Sequence, residues 1–143
     1  MNKKETIIYL AGFFDGEGSI HILCTMTLII SVSNTNLKVI NMFKKEFQGH
    51  TVLKKIHPGR CTGYSYRISG IKACNALEKM IPYLVVKRGE AKVGISIKNT
   101  LQVKGKVRRL TSQEYNLRKK ARLKLFGIRD KNSPNRTFNL RKY

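Results

Sequence analysis

A chain of 143 residues with 29 Lys and Arg against 8 Asp and Glu carries a formal net charge of +21, at 41% hydrophobic and 26% charged residues. That length suits one domain with a genuine core rather than two, and the composition excludes both a disordered chain and a disulfide scaffold. The charge calls for a polyanionic partner, because self-repulsion opposes compaction until phosphates neutralise it. Ribosome-like basic proteins and nucleic-acid enzymes share this property, so charge alone names a partner class and no reaction.

Cys24, Cys61 and Cys74 form no CxxC pair, and their odd number argues against a closed disulfide framework, so reduced core or strand positions are expected. His21, His50 and His57 stand in no zinc-finger spacing with them. No run of about 18 apolar residues is present to span a membrane. The N-terminus has no signal-peptide apolar stretch, and a soluble intracellular protein is expected.

Thr6 to Phe14 (TIIYLAGFF) is apolar nearly all round, which fits a short helix buried on several sides or shared between subunits, with Gly16 and Gly18 expected to stop it. Ser19 to Cys24 and Thr27 to Ser33 then alternate as two strands. Ile20, Ile22, Leu28, Ile30 and Val32 point inward, and Ser19, His21, Thr27, Ser31 and Ser33 point outward. After the turn signal Asn34-Thr35-Asn36, Leu37, Ile40, Phe43 and Phe47 recur at helical spacing, and Gly49 is placed to end that helix. Thr51 to Ile56 and Tyr64 to Ser69 form two further strands around a turn containing Pro58, Gly59 and Gly63. Ile71 to Met80 is helical, Pro82 breaks it, and Arg88 to Gln102 resumes. The order α-β-β-α-β-β-α makes an α+β fold.

From Lys104 onward, 14 Lys and Arg stand against Glu114 and Asp130 alone. Helix propensity persists from Ser112 to Phe126, where Leu117, Ala121 and Leu125 share a face. Beyond it the polar, Pro-interrupted segment is expected to be a loop or arm that orders on a partner, the alternative being a solvated disordered tail. The expected division is a single domain over residues 1–126 and a basic C-terminal arm over 127–143.

Leu10 to Gly18 reads LAGFFDGEG and resembles the LAGLIDADG signature of a homing-endonuclease family, in its single-motif, homodimeric type. Small residues Ala11 and Gly12 allow close helix approach, an acidic residue stands at the helix end, and Gly18 opens a strand; the element order agrees over roughly residues 6 to 102. The resemblance implies an αββαββα fold with a saddle-shaped antiparallel sheet, here with an extra C-terminal helix and a basic arm. It also implies an intron-homing enzyme that hydrolyses both strands of a long pseudo-palindromic DNA target as a homodimer. Motif helices of two subunits would pack side by side through Leu10, Ala11, Gly12 and Phe14, bringing two carboxylates together.

By the same resemblance Glu17 is the metal-binding carboxylate, the Gly16 carbonyl a second ligand of Mg²⁺, and Asp15 a structural residue tied to the turn. Glu17 stands where Asp is commoner. Lys87, in PYLVVKRGEA, matches a lysine that helps polarise the water network or stabilise phosphate charge, while Asn34 and Lys38 match a solvent-orienting polar residue and a cation one helical turn beyond it. The DNA-reading face would carry Ser19, His21, Thr27, Ser31 and Ser33 from one hairpin and Lys54, Ser65, Arg67 and Ser69 from the other. Only 15 residues separate Gly18 from Asn34, so the first hairpin is short. Two alternatives share these features: a maturase that binds intron RNA, and a catalytically silent DNA-binding protein. An organelle (chloroplast or mitochondrion), an archaeal and a bacterial cytoplasm are all compatible with the sequence.

Overall fold

A computed structural model of the chain describes residues 1–54, 63–101 and 109–132. The first helix, α1 (Lys3–Glu17), begins at a reciprocal cap: the Asn2 side chain accepts from the Glu5 amide at 2.9 Å and the Glu5 carboxylate accepts from the Asn2 amide at 2.8 Å. This box starts the helix three residues before the first one expected, and the helix also runs through Gly16. It stops at Gly18 because the chain turns straight into a strand. A Cβ at Gly18 would lie 2.3 Å from the Phe14 ring and 2.5 Å from the Phe14 carbonyl, so only glycine fits.

The strands β1 (Gly18–Ile22), β2 (Leu28–Asn34), β3 (His50–Lys54) and β4 (Gly63–Ser69) form one antiparallel sheet in the order β1-β2-β4-β3. Ile20, Ile22, Leu28, Ile30 and Val32 are all buried, as alternation requires, and Tyr66 and Ile68 continue that face on β4. Thr51 is the first expected residue of the third strand, which starts one residue earlier; its expected end at Ile56 and the Pro58-Gly59 turn lie outside the described residues. Cys74 is buried on the helix that follows β4, whereas Cys24 is exposed in the β1–β2 turn rather than in a core or strand position.

Helices cover the inner face. α2 (Leu37–Phe47) buries Val39, Ile40, Phe43 and Phe47 and leaves Leu37 exposed, because Asn36 caps the helix and holds Leu37 at its solvent end. Phe43 sits at the core's centre, its ring 5.5 Å from that of Tyr66 and 6.1 Å from that of Phe13. Gly49 leaves α2 at φ +96°, and a Cβ there would meet the Arg67 carbonyl at 2.7 Å. α3 (Gly70–Met80) and a 3₁₀ turn at Ile81–Tyr83 follow, Pro82 lying in that turn.

The helix expected over Arg88 to Gln102 is two helices, α4 (Arg88–Ser96) and α5 (Lys98–Leu101). Ser96 donates to the Val93 carbonyl at 2.6 Å and Thr100 to the Ile97 carbonyl at 2.7 Å, competing with the helical ladder where it breaks. The last helix, α6 (Ser112–Asn132), also opens on a capping box, between Thr111 and Glu114. It continues past Phe126 and Gly127, so the expected start of the arm at 127 is still helix. The rest of the arm, residues 133–143, lies outside the described residues.

α6 lies along the free edge of β1. The outward carbonyls of Ile20 and Ile22 accept from Arg129 and Arg122, and Arg118 donates to the Met26 carbonyl in the adjoining turn. An edge strand with unmet carbonyls would otherwise invite another strand. The inward face of α6 is Arg118, Ala121 and Leu125, not Leu117, which is 45% exposed. No helix among the described residues is long and apolar enough to cross a membrane.

Buried Arg118 also donates to the Thr100 hydroxyl at 2.8 Å and to the Thr100 carbonyl. Arg118→Met fills similar space and strands those acceptors. It is expected to cost about 1–3 kcal/mol for each buried group left unmet. Urea unfolding of the two proteins measures the difference, and equal midpoints would mean that α6 docks through its apolar residues alone.

Candidate functional site

The end of α1 carries three consecutive residues with distinct surroundings. Asp15 turns toward the segment before α4, and its carboxylate accepts from the backbone amides of Val85 at 2.6 Å, Lys87 at 2.9 Å and Val86 at 3.2 Å. The Lys87 ammonium returns to donate to the Asp15 carbonyl. Burial opposes ionisation of Asp15, but the amides of Lys87, Val85 and Val86 and the Lys87 charge outweigh it and hold the carboxyl below its ordinary 3.8. With both oxygens engaged, Asp15 is structural.

Gly16 and Glu17 are exposed. Glu17 makes no hydrogen bond or ion pair among the described residues, and the Gly16 carbonyl lies in the last helical turn, where no N–H four residues on completes the ladder. Lys87 is half-buried at the N-cap of α4. Asn34 ends β2, two residues past Val32, which pairs with Gly18. The fold thus brings Asn34 to the end of the sheet where α1 stops. The Asn34 side-chain oxygen accepts from the Asn36 amide at 2.9 Å, a turn-forming role, and Lys38 is exposed in the first turn of α2.

On the sheet face away from the helices, register aligns Ser19, Ser31, Arg67 and His50 in one row across all four strands. Flanking rows carry His21, Ile29 and Ser69 on one side and Ser33, Ser65 and Val52 on the other. Ser19 and Ser31 share a hydrogen bond of 2.8 Å, and Ser33 donates to Ser65 at 3.1 Å. The serines are therefore partly occupied with one another. Arg67 is exposed and makes no ion pair among the described residues. Thr27 precedes β2 in the turn, and Lys54 pairs with Gly63 at the end of β3. His50 and Val52 were not anticipated on this face, although counting back by twos from Lys54 reaches both.

The expected dimer-facing residues need correction. Leu10, Ala11 and Phe14 are each 0% exposed within this one chain, so they are core residues. At about 100° per residue the opposite face of α1 carries Glu5, Ile8, Tyr9, Gly12 and Gly16. All five are exposed, Ile8 by 42% and Tyr9 by 43%.

The archaeal intron-encoded homing endonuclease I-Vdi141I, solved with DNA, superposes with a TM-score of 0.62 at 18% identity, covering 99% of this chain and 91% of that one. The homing endonuclease I-CvuI, in complex with a target DNA in 2 mM Mg, gives 0.56 at 20% identity over 82% and 95%. The homing endonuclease I-TnaI gives 0.50 at 19% identity over 87% and 86%. The fold is that of the LAGLIDADG homing endonucleases. No protein-family profile and no curated protein sequence matches the chain.

Within this LAGLIDADG fold, LAGFFDGEG forms the second half of α1 and the first residue of β1. Among the described residues no three His, Cys, Asp or Glu side chains converge as a closed metal cage. What the helix end offers is one open carboxylate, Glu17, beside one free carbonyl, Gly16. An all-oxygen, incomplete set of this kind fits Mg²⁺, which retains waters and takes phosphate oxygens as ligands.

Because the folded-state pKa of Asp15 is lowered, its contribution to stability is complete above the ordinary 3.8 and fades as pH falls below that value. Asp15→Asn keeps one acceptor oxygen and no charge. Stability at neutral pH is expected to fall by about 1–3 kcal/mol, and the acid limb of the pH–stability curve to flatten, read by urea unfolding from acid to neutral pH. A variant with unaltered stability would remove Asp15 as the clamp.

Proposed function

We propose that this protein is a site-specific double-strand DNA endonuclease that works as a homodimer on a long pseudo-palindromic target, with Mg²⁺ as its metal. The observation that carries this reading is the bare Glu17 carboxylate at the end of α1. It is one of 8 acidic residues on a chain of net charge +21, and among the described residues it is left unpaired where a phosphate could bring a cation. Support comes also from the fold, shared with homing endonucleases solved on DNA.

Glu17 and the Gly16 carbonyl would hold the metal. When bound, Mg²⁺ activates a water and stabilises the leaving oxygen of the scissile phosphate. Lys87, tied to Asp15, supplies a fixed positive charge for the phosphate, and Asn34 and Lys38 orient solvent and substrate from the neighbouring end of the sheet. The serine, histidine and arginine face takes the major groove, where Arg67 can serve guanine or phosphate, with Lys54 and Thr27 at its margins. Basic residues of the C-terminal arm add phosphate contacts, which position the protein without specifying sequence.

The homodimer rests on two glycines. A Cβ at Gly12 or Gly16 would meet nothing within 4 Å among the described residues, although glycine inside a helix costs about 1 kcal/mol relative to alanine. Nothing among the described residues requires them to be small. A second α1 packed close against that face would, with Ile8 and Tyr9 supplying apolar contact. Two Glu17 residues then flank a two-fold axis, and two identical sheets read two half-sites.

Glu17→Gln preserves volume and removes the charge, so cleavage is expected to vanish while binding to the same duplex survives. Incubation with a randomised duplex pool, with and without Mg²⁺, identifies the target. Near-normal cutting by that variant ends the assignment.

Gly12→Leu is expected to force the paired helices apart at a cost of about 1–3 kcal/mol to the dimer. Ultracentrifugation should report a shift to monomer, and a plasmid assay the loss of linear product. Wild-type protein that stays monomeric on DNA and still linearises plasmid in one binding event would refute the homodimer.

A further inference from the structure

His21 is the penultimate residue of β1, exposed on the open sheet face and paired opposite Ile29. Arg129 reaches it from α6, with a guanidinium nitrogen 3.3 Å from the imidazole Nδ1. A guanidinium has only donors, so Nδ1 must offer its lone pair and the neutral ring carries its proton on Nε2. Arg129 is itself anchored, by the Ile20 carbonyl and by the buried Glu90 carboxylate at 3.4 Å. No acceptor among the described residues takes the Nε2 proton.

We propose that Arg129 is a positioning residue that locks His21 as a pure hydrogen-bond donor, making His21 a specificity-determining residue for a target base with an acceptor on its major-groove edge. This rests on the endonuclease reading above. An unanchored histidine can present either a donor or an acceptor at its tip and so discriminates poorly. Locked, it rejects cytosine, whose edge offers the N4 amino donor, and suits guanine best, whose N7 and O6 are both acceptors.

The charges around the ring act in the same direction. Loss of hydration where the ring meets α6, then the charges of Arg129 and Arg67, hold the imidazole below its ordinary 6.5, so it is neutral at pH 7. The Glu90 carboxylate on the far side of Arg129 is taken up by that guanidinium. Protonation would set an N–H of His21 against Arg129 and dissolve the lock.

The test uses the full chain. Site selection from randomised duplexes should reveal one base pair in each half-site at which cytosine is disfavoured about tenfold on the contacted strand. His21→Ala should abolish that preference and leave the other positions unchanged. Where the selected base is guanine, 7-deazaguanine should weaken wild-type binding about tenfold and leave His21→Ala unaffected. In parallel, ¹⁵N-histidine NMR of the free protein should find the proton on Nε2, and Arg129→Gln should raise the His21 pKa and relax the cytosine discrimination, an effect that loss of fold stability alone would not give. If Arg129→Gln does not fold, His21→Asn tests the same base pair without disturbing α6 and should likewise lose the preference. A wild type that selects a site, with selection unaltered by His21→Ala, overturns this role alone. A wild type that binds no duplex overturns the endonuclease reading together with it.

Discussion

The backbone amides of Val85, Val86 and Lys87 lead into α4, where a helix start leaves donors without carbonyl partners. One carboxylate, Asp15, takes all three. Apolar burial does not hold this segment down, since Val85 is 80% and Val86 65% exposed. The hydrogen bonds are what fix it. Through them the end of α1 and the start of α4 become one unit, and Glu17, two residues beyond the clamp, shares a rigid base with Lys87. The motif's two carboxylates therefore divide their work by environment: one is saturated with donors and structural, and the other is bare and free to meet a cation.

Net charge alone overstates how much of the positive surface faces a partner. Arg118, Arg122 and Arg129 are turned toward main-chain carbonyls at the sheet's edge, and Arg122 also lies over the Phe126 ring at 5.3 Å. These three act as structural donors, a role suited to the fixed fork of a guanidinium. The lysines of the same helix, Lys119, Lys120, Lys124 and Lys131, remain exposed. α6 thus separates its cations by type, arginine inward and lysine outward.

The strands were legible because their two faces differ so sharply: isoleucine, leucine and valine against serine and histidine leaves one register possible. The structural role of Asp15 could be read from the motif and agrees with the geometry around it. α1 was harder. Its apolar residues run all round, so no periodicity tells the core face from an outer one, and packing takes Leu10, Ala11 and Phe14 inside although the motif alone implies a partner-facing role for them. The break between α4 and α5 depends on Ser96 and Thr100 bonding back to their own helix turns, a choice that composition does not announce. The contact between Arg129 and His21 joins residues 108 apart in the chain, and nothing local in either segment anticipates it.

The exposed glycines of α1 carry a consequence for how such a chain tolerates change. Alanine at Gly12 or Gly16 would meet no atom within 4 Å among the described residues and would gain the isolated subunit up to about 1 kcal/mol of helix stability at each site. Folding therefore does not defend these positions; it favours their loss. On the homodimer reading, only selection for cutting would keep them small. A lineage released from that selection would be expected to lose its glycines early, becoming sturdier as a lone subunit while giving up the close pairing on which double-strand scission depends.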